Sequence, residues 1–222
     1  MKVSIARPII ELFPDIAVYG LLVKGINNKL IKPVDFGNIG DIDQAIFKSE
    51  IEKWSGIYNA FSHPKKARVS IKYLLDVFLK GKLKKINPIV DIYNYASLIS
   101  MCPIGGEDVN KLGKGHLNLS VASGKETFTP FNSSVIENPF PKEVIWGIND
   151  DVVVCRSMNF IESNDYKITE DTNNILFIIE KPLPTLNGDP MKAFSFIKEQ
   201  SSNINTNVIE FTLTAQNTSV SF

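Results

Sequence analysis

Four stretches of the chain carry a clear repeat of apolar and polar positions. From Asp41 to Phe61, the residues Phe47, Ile51, Trp54, Tyr58 and Phe61 recur at alternating spacings of four and three, the repeat of one helical face, and the stripe reads as core. A second helix follows. Ile71, Leu74, Leu75, Phe78 and Leu79 fit the i, i+3, i+4, i+7, i+8 template, with Ser70 placed to cap its start and Gly81 to stop it. A third begins where Asn87 can accept a backbone N–H and Pro88 takes the first helical position, and it is expected to run to about Ser100. A last helix, DPMKAFSFIKEQ from Asp189 to Gln200, again has proline in its first turn.

Strand texture surrounds these helices. DIAVYGLLVKGI, Asp15 to Ile26, is rich in β-formers and runs into a turn at Asn27 and Asn28. Beyond Pro103 come short runs, HLNLSVA, ETFTPF, EVIWGI, DVVVCRS and NILFIIE, broken by Gly, Asn, Asp and Pro, and NVIEFTLTA reads as a closing strand with alternating faces. The expectation is a single α+β domain over 1–222, with N-terminal helices packed on mixed or antiparallel sheets and no internal repeat or linker.

Charge narrows the function. Twenty-four basic residues balance twenty-four acidic ones, so no net field draws the chain to nucleic acid, and any RNA contact needs a local patch. One such patch exists: Lys65, Lys66, Arg68, Lys72, Lys80, Lys82, Lys84 and Lys85 stand against a single acid, Asp76. It reads either as a phosphate track, with Lys65, Lys66, Arg68, Lys82, Lys84 and Lys85 as its RNA-binding residues, or as a solvated helix face. Cys102 and Cys155 lie far apart without CxxC spacing and read as buried thiols of a reducing compartment. The longest clean apolar run, Ile175 to Ile179, is too short to cross a bilayer, and charges interrupt the N-terminal segment, so the expected location is the cytoplasm, off the membrane.

Several chemistries drop out. There is no GxSxG elbow, no phosphate loop and no HExxH pair. Two isolated histidines, His63 and His116, and two distant cysteines make a structural zinc site a poor reading, and no metal or cofactor is expected. LGKGH lacks the third glycine and the preceding strand of a dinucleotide fingerprint.

The segment NPIVDIYNYASLISMCPIGGED, Asn87 to Asp108, combines a capped helix with a proline turn and an acidic residue. It resembles the helix and following loop of the editing (B3/B4) domain of the phenylalanyl-tRNA synthetase beta subunit, above all in stand-alone versions of that domain. The similarity resumes in RSMNFIESNDYKITEDTNNILFIIEKP, Arg156 to Pro182, and with GHLNLSVASGKETFTPF between them it spans about 71–182. In the synthetase this domain hydrolyses tyrosine wrongly esterified to phenylalanine tRNA. The resemblance matches Asn94 to the family's helix asparagine, while Tyr93 replaces its threonine, Gly105 its histidine, and Met158 and Asn159 its pocket glycines. The family glutamate falls on Ile178, and Glu180 lies two residues on, on the same strand face. The resemblance thus implies a related pocket with Asn94 and Glu180 at the chemistry and Tyr93, Gly105, Arg156 and Asn159 around the substrate.

Read from the residues alone, these positions stay open. Asn94 in an otherwise apolar helix is either a structural hydrogen-bond partner or a ligand contact. Glu180 follows five apolar residues and is either a buried, paired carboxylate or the exposed end of its strand. Arg156 can pair with Glu180, grip a carboxylate or phosphate, or serve a structural ion pair. Three functions follow: an aminoacyl-ester hydrolase editing misacylated tRNA in trans, a tRNA-binding module of the same fold without hydrolysis, and a protein acting on a free amino-acid-like metabolite.

Overall fold

The computed structural model describes residues 1–40, 42–201 and 207–222. In chain order the first half forms β1 (Lys2–Ile5), α1 (Arg7–Leu12), β2 (Ala17–Lys24), α2 (Gln44–Tyr58), α3 (Ser70–Leu79), α4 (Pro88–Ser100) and β3 (Gly105–Asp108). The second half forms α5 (Val109–Leu112), β4 (His116–Val121), β5 (Val144–Ile148), β6 (Val152–Arg156), β7 (Ile161–Glu162), β8 (Asn174–Lys181), α6 (Pro190–Ser201), β9 (Asn207–Thr214) and β10 (Ser219–Ser221). The fold is α+β. One sheet runs β10-β1-β4-β5-β6-β7, mixed because β1 lies parallel to β4, and the other runs β3-β8-β2-β9, wholly antiparallel.

The period of two in β8 explains how these layers stack. Leu176 and Ile178 join Trp146, Val144 and Leu119 of the first sheet in one core, whereas Ile175, Phe177 and Ile179 join Ile89 and Ile92 of α4 and Phe194 of α6 in another. The central strands β2 and β8 of the antiparallel sheet are therefore buried on both faces, which is why β8 reads as an unbroken apolar run instead of an alternating one.

Helix starts follow side-chain chemistry. Asn87 Oδ1 accepts from the Val90 N–H at 3.0 Å, and Asp91 Oδ1 accepts from the Ile86 N–H at 2.9 Å, fixing the register of α4. Asp43 caps α2 by accepting from the Ala45 and Ile46 N–H groups, while the predicted start at Asp41 lies outside the described residues. The cap of α3 differs from expectation: Val69 occupies the position before the helix, and Ser70 is already its first helical residue. Gly81 does end that helix, at φ +63°.

One strand expectation needs revision, and one strand lies where none was expected. ETFTPF forms only isolated bridges, because Glu126 turns back to accept from the Ser123, Gly124 and Lys125 N–H groups. The N-terminal segment, by contrast, supplies β1, held between β4 and β10. On the outer strand β9, the Phe211 ring lies over Gly20, where an added Cβ would come within 2.0 Å of it.

Candidate functional site

A cavity of about 710 Å³ opens between α3, α4, the β3 edge and the inner face of the first sheet. Its size lies in the range of small-molecule sites. α4 contributes Val90, Tyr93, Asn94 and Ser97, spaced as one helical face, and β8 contributes Ile178 and Glu180, spaced as one strand face. Gly105 lies opposite Ile178 in the β3–β8 ladder, and a Cβ added there would meet nothing within 4 Å. That wall is open space.

Glu180 is buried at the inner end. Its Oε1 accepts from Trp146 Nε1 at 2.6 Å and its Oε2 from Asn159 Nδ2 at 3.2 Å, so it is the buried, paired carboxylate and not the exposed strand end. The Tyr58 hydroxyl donates to the Ser157 carbonyl at 2.9 Å and approaches Asn159 Oδ1 at 3.4 Å, steadying the amide that holds Glu180. Burial nonetheless prevails over these donors and pushes the Glu180 carboxyl up to about 7. Asn159 is delivered by a tight bend after β6, in which Ser157 and Met158 both take left-handed backbone, at φ 52° and 65°. Met158 thus stands where the resemblance implies a glycine, in a conformation that favours one.

The Asn94 amide lies half-buried on the cavity wall and has no hydrogen-bond partner among the described residues. Tyr93 packs edge-on to Phe177 with ring centroids 6.0 Å apart, and burial pushes its phenol well above the ordinary range. Ser97 and Cys155 on the wall are not activated as nucleophiles. Ser97 Oγ donates to the Tyr93 carbonyl at 2.8 Å, and burial pushes the Cys155 thiol up, away from the reactive thiolate. His63 and His116 lie outside the cavity.

Arg156 departs from the pocket implied for it. It ends β6 on the side away from the cavity, where its Nη2 donates to Glu143 Oε2 at 2.9 Å and its Nη1 to Glu137 Oε2 at 3.3 Å. The Phe128 and Phe140 rings lie 5.4 and 5.6 Å from its guanidinium. It meets neither Glu180 nor the cavity, because a fully buried Glu143 already takes its fork.

The basic run divides. Exposed Lys82 and Lys84 line the cavity mouth, whereas Lys72 is tied to Asp76 at 2.9 Å and Arg68 sits 5.8 Å from the Phe160 ring. Lys65, Lys66 and Lys85 are exposed and lie off the cavity wall.

Sequence reasoning missed four residues. Tyr73, 57% exposed, stands at the mouth among the lysines as an aromatic surface on which a base can stack. Trp146 holds Glu180. Glu107 and Glu162 add two further carboxyls to the cavity wall. The signals for Glu107 were the acidic end of the Asn87–Asp108 segment and its spacing of two from Gly105; Glu162 carried none, since β7 is two residues long.

Together the two sheets and the helical cover define an α+β domain with an acid-walled cavity between them. The sequence profile of the B3/4 domain matches residues 57–203, and the chain belongs to that family. It is thus a tRNA-synthetase-related domain of the type carried by the phenylalanyl-tRNA synthetase beta subunit. A comparison with curated proteins gives no match. Among solved structures, an N-terminal fragment of the phenylalanyl-tRNA synthetase beta subunit from Pyrococcus horikoshii is similar, at 12% identity and a TM-score of 0.46. That likeness covers 95% of this chain and 53% of the other, so the chain spans about half its length. Among the described residues, no helix is long and apolar enough to cross a membrane.

Proposed function

We propose that this protein is an aminoacyl-ester hydrolase that acts in trans, in the cytoplasm, on misacylated tRNA or a related aminoacyl compound, as one editing-type domain. The observation that carries the reading is the convergence of Asn94, Asn159, Glu180, Tyr93 and Gly105 on one cavity whose mouth bears Lys82 and Lys84. An aminoacyl group fits the interior, and the lysines suit the phosphates of a tRNA end. Lys65, Lys66, Arg68 and Lys85 extend the same charge outward along the tRNA.

The chemistry asked of the site is modest. An aminoacyl ester is already activated, so orientation of a water and hydrogen bonds to the developing oxyanion suffice without a protein nucleophile. The free Asn94 amide is a donor suited to the carbonyl oxygen. Glu180, fixed by Trp146 and Asn159, accepts from the attacking water or the substrate.

A deacylation screen of charged tRNAs tests this. Asn94→Ala and Glu180→Ala are each expected to slow deacylation about a hundredfold. Gly105→Leu grows a side chain into the open wall and is expected to block the substrate while leaving thermal unfolding unchanged. No hydrolysis by the wild type, with salt-sensitive tRNA binding retained, would favour the binding-module reading; binding of free amino acids without tRNA would favour the metabolite reading.

A further inference from the structure

Glu107 is 3% exposed, lines the cavity, and its Oε2 has no hydrogen-bond partner; the facing carboxyl of Glu162 likewise leaves Oε1 out of solvent and unpartnered. The two carboxyls face one another, with the Ser163 N–H reaching only Glu162, and the pair is stable only while it shares a proton. The charged groups facing Glu107 are Glu162, Glu180 and, more weakly, Lys111, whose Nζ is engaged by the Lys167 carbonyl at 2.7 Å. Glu162 faces Tyr93 and Cys155 as well as Glu107, and both of these are neutral. Among the described residues, Lys82 and Lys84 at the mouth are the basic side chains that line the cavity. The nearest buried cation, Arg156, is already consumed by Glu143. A metal ion does not suit the wall, since among the described residues no group of three or more His, Cys, Asp or Glu converges to hold one.

The cavity is therefore polarised, with carboxyls within and Lys82 and Lys84 outside. Such a cavity orients a ligand that is cationic at one end and anionic at the other. We infer that Glu107 and Glu162 form a receptor for a primary ammonium group, and that the cavity takes aminoacyl compounds with that ammonium inward and their phosphates at the mouth. This rests on the hydrolase reading for the aminoacyl part. The ammonium supplies donors to the unpartnered Glu107 Oε2 and Glu162 Oε1 and replaces the proton between them, so binding releases at least one proton: from the singly protonated pair, ligand ammonium plus pair gives the ammonium held by two carboxylates, plus H⁺.

The two sources of a primary ammonium, the α-amino group and a basic side chain, are separated by the choice of probe. Non-hydrolysable amide-linked norleucyl- and lysyl-adenosine, each with a free and an acetylated α-amino group, are titrated calorimetrically into the wild-type protein at pH 7. If the α-amino group is the ligand, acetylation weakens both compounds at least tenfold. If the side chain is, lysyl exceeds norleucyl and acetylation has no effect. In either case, repeating the titration in buffers of different ionisation enthalpy reveals proton release for the free amine and none for its neutral analogue. In Glu107→Gln and Glu162→Gln the preference for the charged probe collapses toward unity, while the neutral analogues keep their affinity. Equal affinity for all four probes in the wild type overturns the receptor, even if esters are hydrolysed. Ammonium-dependent binding in a protein that hydrolyses no ester retains the receptor and removes the hydrolase reading. The wild-type comparison stands without the variants should either fail to fold.

Discussion

Two buried acidic clusters lie within one domain and are built on opposite plans. Under the loop before β5, Glu143 is fully buried and saturated: Arg156 forks onto both oxygens, Ser157 Oγ donates to Oε1 at 2.7 Å, and the Phe140 N–H donates to Oε2 at 2.9 Å. In the cavity, Glu107 and Glu162 each leave an oxygen without a donor. The first cluster closes on itself and pins a loop; the second is complete only when something enters. Completeness of hydrogen bonding, more than burial or charge, separates a carboxylate that serves the architecture from one that awaits a ligand.

The largest expected effect tests the closed cluster. Arg156→Ala leaves Glu143 buried without its cation and is expected to cost about 3–5 kcal/mol in urea unfolding, whereas Arg156→Met with Glu143→Leu recovers most of that loss. A loss under about 1 kcal/mol would mean that the pair is solvated and the contrast unfounded.

Next comes the open cluster. Burial, and after it the neighbouring carboxyls, raises Glu107 well above the ordinary carboxyl value of 4.5, and burial raises Glu162 to about 8 and Glu180 to about 7. Between the ordinary and raised values the folded protein holds more protons than the unfolded chain, so stability is full at low pH and falls as pH rises. Unfolding free energy is expected to drop by about 1–3 kcal/mol from pH 5 to pH 8, and Glu107→Gln with Glu162→Gln to flatten that slope. Rising stability over this window would show that the pair is ionised and paired.

A smaller effect sharpens the comparison within one strand. Asp108, adjacent to Glu107, is buried but satisfied, accepting from Thr172 Oγ1 at 2.6 Å and from the Asn110 N–H at 2.9 Å. Thr172→Val is expected to cost about 1 kcal/mol at pH 7, measurable as a lower melting temperature. The smallest effect on stability, within about 0.5 kcal/mol, is expected from reversing Lys82, Lys84 and Lys85 to Glu. That variant is expected to lose tRNA affinity and much of its salt dependence in a filter-binding assay.

How far the sequence discloses this contrast depends on the range of the interactions. α4 was legible because Asn87, Pro88 and the apolar stripe act within a few residues. β8 and the placement of Ile178 and Glu180 on one face followed from a period of two. The strands β1 and β10 were not legible, since each is short and is defined by a partner more than a hundred residues away, or at the opposite chain end. Arg156 was visible as a charge after an apolar run, but its partner Glu143 lies across the β5–β6 hairpin, and nothing in the pattern selects it over Glu180. Glu107 and Glu162 sit on strands of four and two residues, too short to show a repeat, and only the stacking of the two sheets brings them together.

The seat of Phe211 on Gly20 carries a consequence for the alignment of an edge strand. β9 is an outermost strand with its far hydrogen-bonding edge unpaired in its sheet, the kind of edge that recruits other strands if it can slide. Moving β9 along β2 by one residue would drive the aromatic ring from the glycine onto the Tyr19 or Leu21 position, which has a side chain, and turn every β9 residue over. The missing side chain at Gly20 works as a keyway: the strand seats in one alignment.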